Sequence, residues 1–380
     1  MGERLPVTPA LVRWARERAG FSLEEATRRF PKIQEWEKGV VAPTYAQLEA
    51  LAGTFKVPVA VFFFPEPPKV PRIEETFRTL PEAAFDLLPP RIKLLLRKAK
   101  ALQLALFELN DGTNPAARLI TRDLRFSPTV EIEVMATEVR SYLGVSVEEQ
   151  TSWTTTEVAL EAWRQRFADV GVYVFKDQFR IADFAGFCLT DEEFPIIYVN
   201  NTSAKTRQIF TLFHELAHLL FHTSGIDVEQ DDYIESLVGD SRRIEVLCNR
   251  FAGEFLVPRE ALAEALRGIR ISPTSVADLS RQFKVSQLVI WRRLRDTYRI
   301  SRAMYEHAHQ RALAEERRRP RDRGGDYYNN QLAYLGRPYV GLALSRYYQN
   351  KITEEQLADY LNIKPKNIAP LEERFLRGAA

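Results

Sequence analysis

"IFTLFHELAHLLFH", residues 209–222, places three of the chain's five histidines in a run of fourteen positions that is otherwise almost wholly apolar. Read as a helix, the run is apolar nearly all round, through Phe210, Leu212, Phe213, Leu216, Leu219, Leu220 and Phe221, and is expected to be buried. Two imidazoles and a carboxylate in such a place are costly unless something coordinates them. His214-Glu215-Leu216-Ala217-His218 is H-E-x-x-H. Histidines four apart lie one turn above each other on a single helix face, so both rings can reach one metal ion at about 2.0–2.1 Å. Glu215 then lies beside the metal, where its carboxylate can take a proton from an activated water and return it to a leaving amine. His214 and His218 are therefore read as metal ligands and Glu215 as the catalytic base.

A third ligand has to come from elsewhere. His222 is two turns from His214, about 12 Å along a straight helix, too far to share the ion; it suits a helix C-terminus with free carbonyls. The metzincin pattern, which needs a glycine break and a further histidine, is excluded because position 224 is Ser224. Six acidic residues crowd Asp227 to Asp240, but that run lacks apolar periodicity and reads as a solvated loop. In "RRIEVLCNRFAGEFLVP", at about 100° per residue, Ile244, Cys248, Phe251, Ala252, Phe255 and Leu256 form one apolar arc that contains Glu245. Glu254 lies at the opposite edge of the arc, next to Arg250, where a salt bridge or an exposed position is expected. Glu245 is thus the third ligand, which leaves a fourth position for water, the three-ligand pattern of a catalytic zinc site. Zinc follows from the ligand types, with Mn2+ as the alternative.

The chain's 380 residues, 45% hydrophobic and 27% charged, allow two or three domains of ordinary soluble composition. No secretory leader and no apolar stretch of roughly 20 residues is visible, so a cytoplasmic protein without a membrane segment is expected. Cys188 and Cys248 sit in apolar settings and read as reduced core residues. A net charge of +2 leaves attraction to nucleic acid to local patches.

The expected fold class is α+β, mostly helical. Residues 1–68 form a first domain: helical spacing ends at Gly20, a Ser22/Glu25 capping box opens a second helix, and Thr44 caps another. Arg16 to Ala26 and Trp36 to Thr44 resemble the lambda-repressor-like (XRE-type) helix-turn-helix family. The resemblance implies DNA contacts from Arg28, Arg29 and Lys32. Between Ala26 and Trp36, however, three or four residues of the usual pattern are missing and Pro31 interrupts the rest, so the groove-reading helix is expected to be abbreviated and a protein-docking role competes with DNA binding. Residues 69–130 read as a helical linker region, 131–310 as a zincin-like metallopeptidase domain, 311–325 as a basic linker and 326–380 as a small helical C-terminal domain in which the tyrosines form a packed core. Strands are expected in 171–175, 180–189 and 194–201, leading into the histidine helix.

"TLFHELAH", followed about thirty residues later by "E-V-L-C-N-R-F-A-G-E-F-L-V-P" and preceded by "GFCL" and "PIIYVN", resembles the ImmA/IrrE family of metallopeptidases. The resemblance covers most of the chain. It implies a cytoplasmic zinc-dependent endopeptidase of the Glu-ligand type that cleaves a DNA-binding repressor or antitoxin-like protein, and so acts in transcription regulation and stress response.

Two further expectations concern partners. Residues 275–298 have a helix-turn-helix look, and 291–323 hold eleven arginines against five acids, so Arg292, Arg293 and Arg295 are candidates for DNA contact. On that basis the competing function is a DNA-binding transcriptional regulator with a structural or vestigial metal site. For the protease reading, an extended substrate needs a sheet edge to pair with. "FPIIYVNN" is the strand nearest the histidine helix in sequence, which makes Ile197, Val199 and Asn200 the expected substrate-binding residues.

Overall fold

The computed structural model describes residues 4–68, 88–181, 184–222, 226–228, 240–318 and 326–377. The acidic stretch 229–239, most of the proline-rich boundary 69–87 and the basic stretch 319–325 lie outside them. Two compact units result, one running to Lys98 and one from Ala99 onward.

The first unit holds α1 (Pro9–Arg18), α2 (Leu23–Arg29), α3 (Ile33–Glu37), α4 (Tyr45–Phe55) and the first turns of α5 (Pro90–Leu109). The expected Ser22/Glu25 capping box forms at α2, and the expected Thr44 cap of α4 is completed by Gln47 into a second box. Leu11, Ala15, Trp36, Leu48, Leu51 and Phe55 close its core, and a buried Arg16–Glu37 ion pair at 2.5 Å ties α1 to α3. After Pro31 only five residues of α3 remain, and the buried Ile33 and Trp36 turn one side of them inward. Arg28, Arg29 and Lys32 are exposed; Arg28 pairs with Glu24 at 2.5 Å.

The second unit continues α5 and adds α6 (Ile120–Asp123), α7 (Ile132–Leu143), α8 (Val147–Ser152) and α9 (Thr156–Asp169). Next come β1 (Tyr173–Asp177), β2 (Phe184–Leu189), β3 (Ile196–Asn200), α10 (Lys205–Leu220), β4 (Ile226–Val228) and α11 (Asp240–Leu256). The sheet order is β1-β3-β2-β4, with β3 parallel to β1 and antiparallel to β2, and β4 antiparallel to β2. This corrects the edge-strand expectation. Ile197 lies between Val174 and Cys188 and Val199 between Lys176 and Gly186, while Asn200 pairs with Asp177 and its side chain donates to Phe184 O. All three are buried, so β3 has no free edge to offer a substrate. The strand also lacks the expected two-sided alternation because both its faces are covered, as in an interior strand. The edge beside β2 is β4, three residues at the start of the segment that reads in sequence as an acidic loop, too short to show a period.

After α11 follow α12 (Arg259–Ala265), α13 (Pro273–Phe283), α14 (Gln287–Asp296) and α15 (Arg302–Arg318). Between α13 and α14 the chain turns at "KVS", residues 284–286: Lys284 takes a left-handed φ of 59° and Ser286 caps Val289. Leu279, Phe283, Ile290 and Leu294 join the same core as the histidine helix. Arg293 does not face outward. It is buried, with Nε donating to Val257 O at 2.9 Å and a guanidinium nitrogen bonded to Glu254, so it is not available to a phosphate.

The last helices, α16 (Tyr327–Leu335), α17 (Arg337–Tyr348), α18 (Glu354–Tyr360) and α19 (Ile368–Arg377), belong to the same compact unit and not to a separate domain. Tyr339 packs edge-on to Phe175 of β1 at 5.2 Å, and the Tyr360 hydroxyl donates to Glu108 at 2.9 Å. Of the C-terminal tyrosines Tyr339 alone is in the core, while Tyr327 and Tyr348 are exposed. Against β1, Arg164 donates to Val174 O at 2.8 Å and Gly336 lies over the same carbonyl, which blocks that outer edge of the sheet.

Strand β2 approaches α10 closely at one point. A Cβ added at Gly186 would sit 2.5 Å from Thr211 Cγ2, 3.0 Å from Tyr198 O and 3.8 Å from Glu215 Cγ. Neither the β-branched threonine nor the strand backbone can swing aside, so Gly186→Ala should lower the unfolding free energy by about 1–3 kcal/mol. Thermal denaturation checks this, and a midpoint equal to that of the wild type would show that strand and helix can separate without loss.

Candidate metal centre

The centre is built on α10 and α11. α10 is buried from Gln208 to Leu220, including His214, Glu215 and His218. Phe213 stacks on Phe255 of α11 at 4.2 Å, with Trp163 of α9 edge-on to Phe213 at 4.8 Å. This ring cluster sets the two helices side by side, and Glu245, ten residues before Phe255, is carried to the histidine face. Its side chain is 13% exposed.

His214 Nε2 and His218 Nε2 are 3.1 Å apart. Each is 3.2 Å from a carboxylate oxygen of Glu245, Oε2 for His214 and Oε1 for His218. Among the described residues these three form the group whose donor atoms could share one ion, all within 4.8 Å of one another. Four donors around zinc at about 2.0–2.1 Å in a tetrahedron stand roughly 3.3 Å apart. The observed separations match that spacing, and the donor set is two nitrogens and a carboxylate, so the residues present fit a divalent transition metal. Burial pushes the Glu245 carboxyl up, but His218 and His214 outweigh it and hold the group below the ordinary carboxylate range.

One contributor escaped the sequence reading. Asn249 Oδ1 lies 3.2 Å from His214 Nδ1. A carbonyl oxygen there takes the Nδ1 hydrogen and leaves the lone pair of His214 on Nε2, facing Glu245. The signal was available: Asn249 stands one helical turn after Glu245, on the same side of α11.

Of the two expectations for Glu254, a salt bridge or an exposed position, the salt bridge forms, with Glu254 buried. Its partner is Arg293 of α14, and it also accepts from the Arg259 amide at 2.9 Å. Both oxygens are turned toward the α11–α12 junction, away from the histidine face. His222 ends α10 in a left-handed conformation, φ 55°, and its amide donates to Leu219 O; it takes no part in the three-residue group. Glu215 is fully buried on the sheet side of α10, opposite Gly186.

Among the described residues no helix is long and apolar enough to cross a membrane. A family model described as the IrrE N-terminal-like domain of peptidase family M78 matches residues 167–295, the span from the end of α9 through α14. The chain is similar to the radiation response metalloprotease IrrE of Deinococcus radiodurans, 34% identical over 100 residues that make up 25% of this chain and 29% of that protein. It is also similar to the protein of the same name from Deinococcus deserti, 36% identical over 100 residues, 25% of this chain and 34% of the relative. The chain thus spans about a third of the length of the curated relatives it matches. With the two histidines, the glutamate and the helices that carry them all inside the matched span, residues 167–295 belong to the IrrE N-terminal-like family of metallopeptidase domains.

Proposed function

We propose that the protein is a metal-dependent endopeptidase in which His214, His218 and Glu245 hold the ion and Glu215 is the general base. The observation that carries this reading is the convergence of two Nε2 atoms and a carboxylate at 3.1–3.2 Å on a buried helix that also bears Glu215. Zinc, or Mn2+, bound there would supply Lewis acidity to a peptide carbonyl and acidify a water. Glu215 takes the proton of that water as its oxygen attacks the carbonyl carbon. As the C–N bond breaks, the same carboxyl returns the proton to the leaving nitrogen, so that no charge accumulates on the amine.

The substrate strand is expected at β4. Gly186, opposite Glu215, pairs with Asp227 of β4, and no described strand pairs with β4 on its far side. An extended peptide added there would run past the base, whereas the opposite edge at β1 is blocked by Arg164 and Gly336. The proposed substrate is a protein, a DNA-binding repressor or antitoxin-like regulator in the cytoplasm. The "radiation response" in the relatives' name supports a place in stress-linked transcription regulation. Arg28, Arg29 and Lys32 on the first unit, with Arg292 and Arg295 on α14, remain the residues through which the protein would meet DNA. The five-residue α3 favours docking of the repressor itself.

Glu215→Gln should cut cleavage of a repressor encoded beside the gene by at least 10²-fold and leave metal content unchanged; a variant as fast as the wild type would remove Glu215 from the mechanism. Glu245→Ala should lose bound metal in elemental analysis. Glu254→Ala should keep it while losing about 3 kcal/mol of stability, because Arg293 is left buried without its partner; the opposite result would exchange the two roles. For Asn249→Ala we expect metal affinity to drop roughly 10–100-fold with the three ligands intact, and Asn249→Asp, which keeps an acceptor, to restore it. Equal metal affinity in all three proteins would show that Asn249 does not orient His214.

A further inference from the structure

A basic cavity lies on the flank of α11 next to the metal face. At 100° per residue, Arg242, Val246 and Arg250 fall about 60–140° round the helix from Glu245. Arg242, Arg243 and Arg250 line one side of a cavity of about 520 Å³, and the segment from Pro128 to Ile132 lines the other, with Val130 and Val246 contributing apolar surface. All three arginines are exposed. None has an ion-pair partner among the described residues, in contrast to Arg259 and Arg293 nearby, which bind Glu133 and Glu254. The facing segment leads into α7, whose N-cap residue Glu131 makes no side-chain hydrogen bond to the first turn. The positive end of that twelve-residue helix therefore opens beside the arginines without a cap.

Charge decides what such a cavity takes. Three arginines against the one acid of the lining, Glu131, give 3 − 1 = +2. A lone carboxylate would leave it positive, whereas a phosphate monoester, with a charge of roughly −1.5 to −2 at neutral pH, matches it. Guanidinium forks suit phosphate oxygens in pairs. The volume lies within the range of about 300–1,000 Å³ found for small-molecule sites, so there is room for an organic group beyond the phosphate. We propose that this cavity binds a small soluble ligand through its phosphate. The proposal does not depend on the peptidase reading.

Inorganic phosphate is the probe, titrated into the full chain by calorimetry with the metal loaded and with it stripped. We expect saturable binding in both states, weakened at least tenfold in the double variant Arg243→Ala/Arg250→Ala. Binding should be unchanged in Arg267→Ala/Arg281→Ala, which removes two surface arginines engaged in local ion pairs. Binding that disappears with the metal would belong to the metal centre and overturn the proposal. Equal weak binding in all three proteins would indicate an adventitious ion only. The acidic run that precedes α11 in the sequence is a competing anion. If phosphate binds only after Asp231, Asp232 and Glu235 are changed to Asn, Asn and Gln, the occupant is the chain's own segment and the proposal fails.

Discussion

The stacking of Phe213 on Phe255 is the contact on which the centre depends. Phe213 immediately precedes His214, and Phe255 lies ten residues, or about 15 Å of helix, beyond Glu245. A slide or rotation of α11 at the ring pair would therefore carry Glu245 away from the histidines. Trp163 wedges the pair from the side, edge-on to both rings. The far end of α11 is held as firmly: Arg140 lies over the Phe255 ring at 4.3 Å and donates to its carbonyl, Gln150 donates to Leu256 O at 2.9 Å, and Arg293 donates to Val257 O at 2.9 Å. The last carbonyls of a helix have no partners within it, and here side chains from three other helices, the buried Gln150 and Arg293 and the half-buried Arg140, supply them. What looks like ordinary capping also fixes the position of Glu245 about three turns away.

This arrangement explains why a dry core tolerates the charge it holds. An isolated carboxylate in the interior would be strongly disfavoured. Glu245 is stabilised by the two imidazoles on one side of the α10–α11 seam, and Glu254 by Arg293 and the Arg259 amide at the helix end. Two inward-facing acids on one helix, Glu245 partly and Glu254 fully buried, therefore have different partners, one beside the histidines and one clamping α14 to α11. The division is written in the partners: two imidazole nitrogens that could share one ion with the carboxylate for Glu245, permanently charged and amide donors for Glu254.

Much of the centre was legible because helical geometry turns spacing into proximity. H-E-x-x-H on an apolar helix and a glutamate inside an apolar arc identify His214, His218 and Glu245 without any tertiary information. Where the reading failed, the missing information was tertiary. Arg293 has the same local sequence character as Arg292 and Arg295, and only the position of Glu254 on another helix decides that it points inward. Asn249 could be placed on the right side of α11, but its contact with His214 requires the crossing of the two helices. The C-terminal tyrosines recur near helical spacing, yet only Tyr339 meets the sheet, because a period identifies a face and not what covers it. In the first unit the legible feature was Pro31, after which α3 holds only the five residues Ile33–Glu37.

The sheet carries the same lesson in a form that bears on substrate access. Nearness in sequence suggested that β3, the strand before α10, would be the edge, but the chain from β1 first lays down β2 and then turns back, so that β3 is inserted between them, parallel to β1 and antiparallel to β2. The run "PIIYVN" in fact signals this position, since a strand buried on both faces shows an unbroken apolar stretch where an exposed one alternates. With β3 enclosed and the outer edge of β1 taken by Arg164 and Gly336, β4 is the strand that pairs on one side only among the described residues, one strand away from Gly186. The absent side chain at Gly186 is then more than a packing detail. It lets β2 lie against α10 at the level of Glu215, and so sets the distance between β4 and Glu215. A larger residue there would push the β2–β4 pair outward, away from Thr211 and Glu215 of α10.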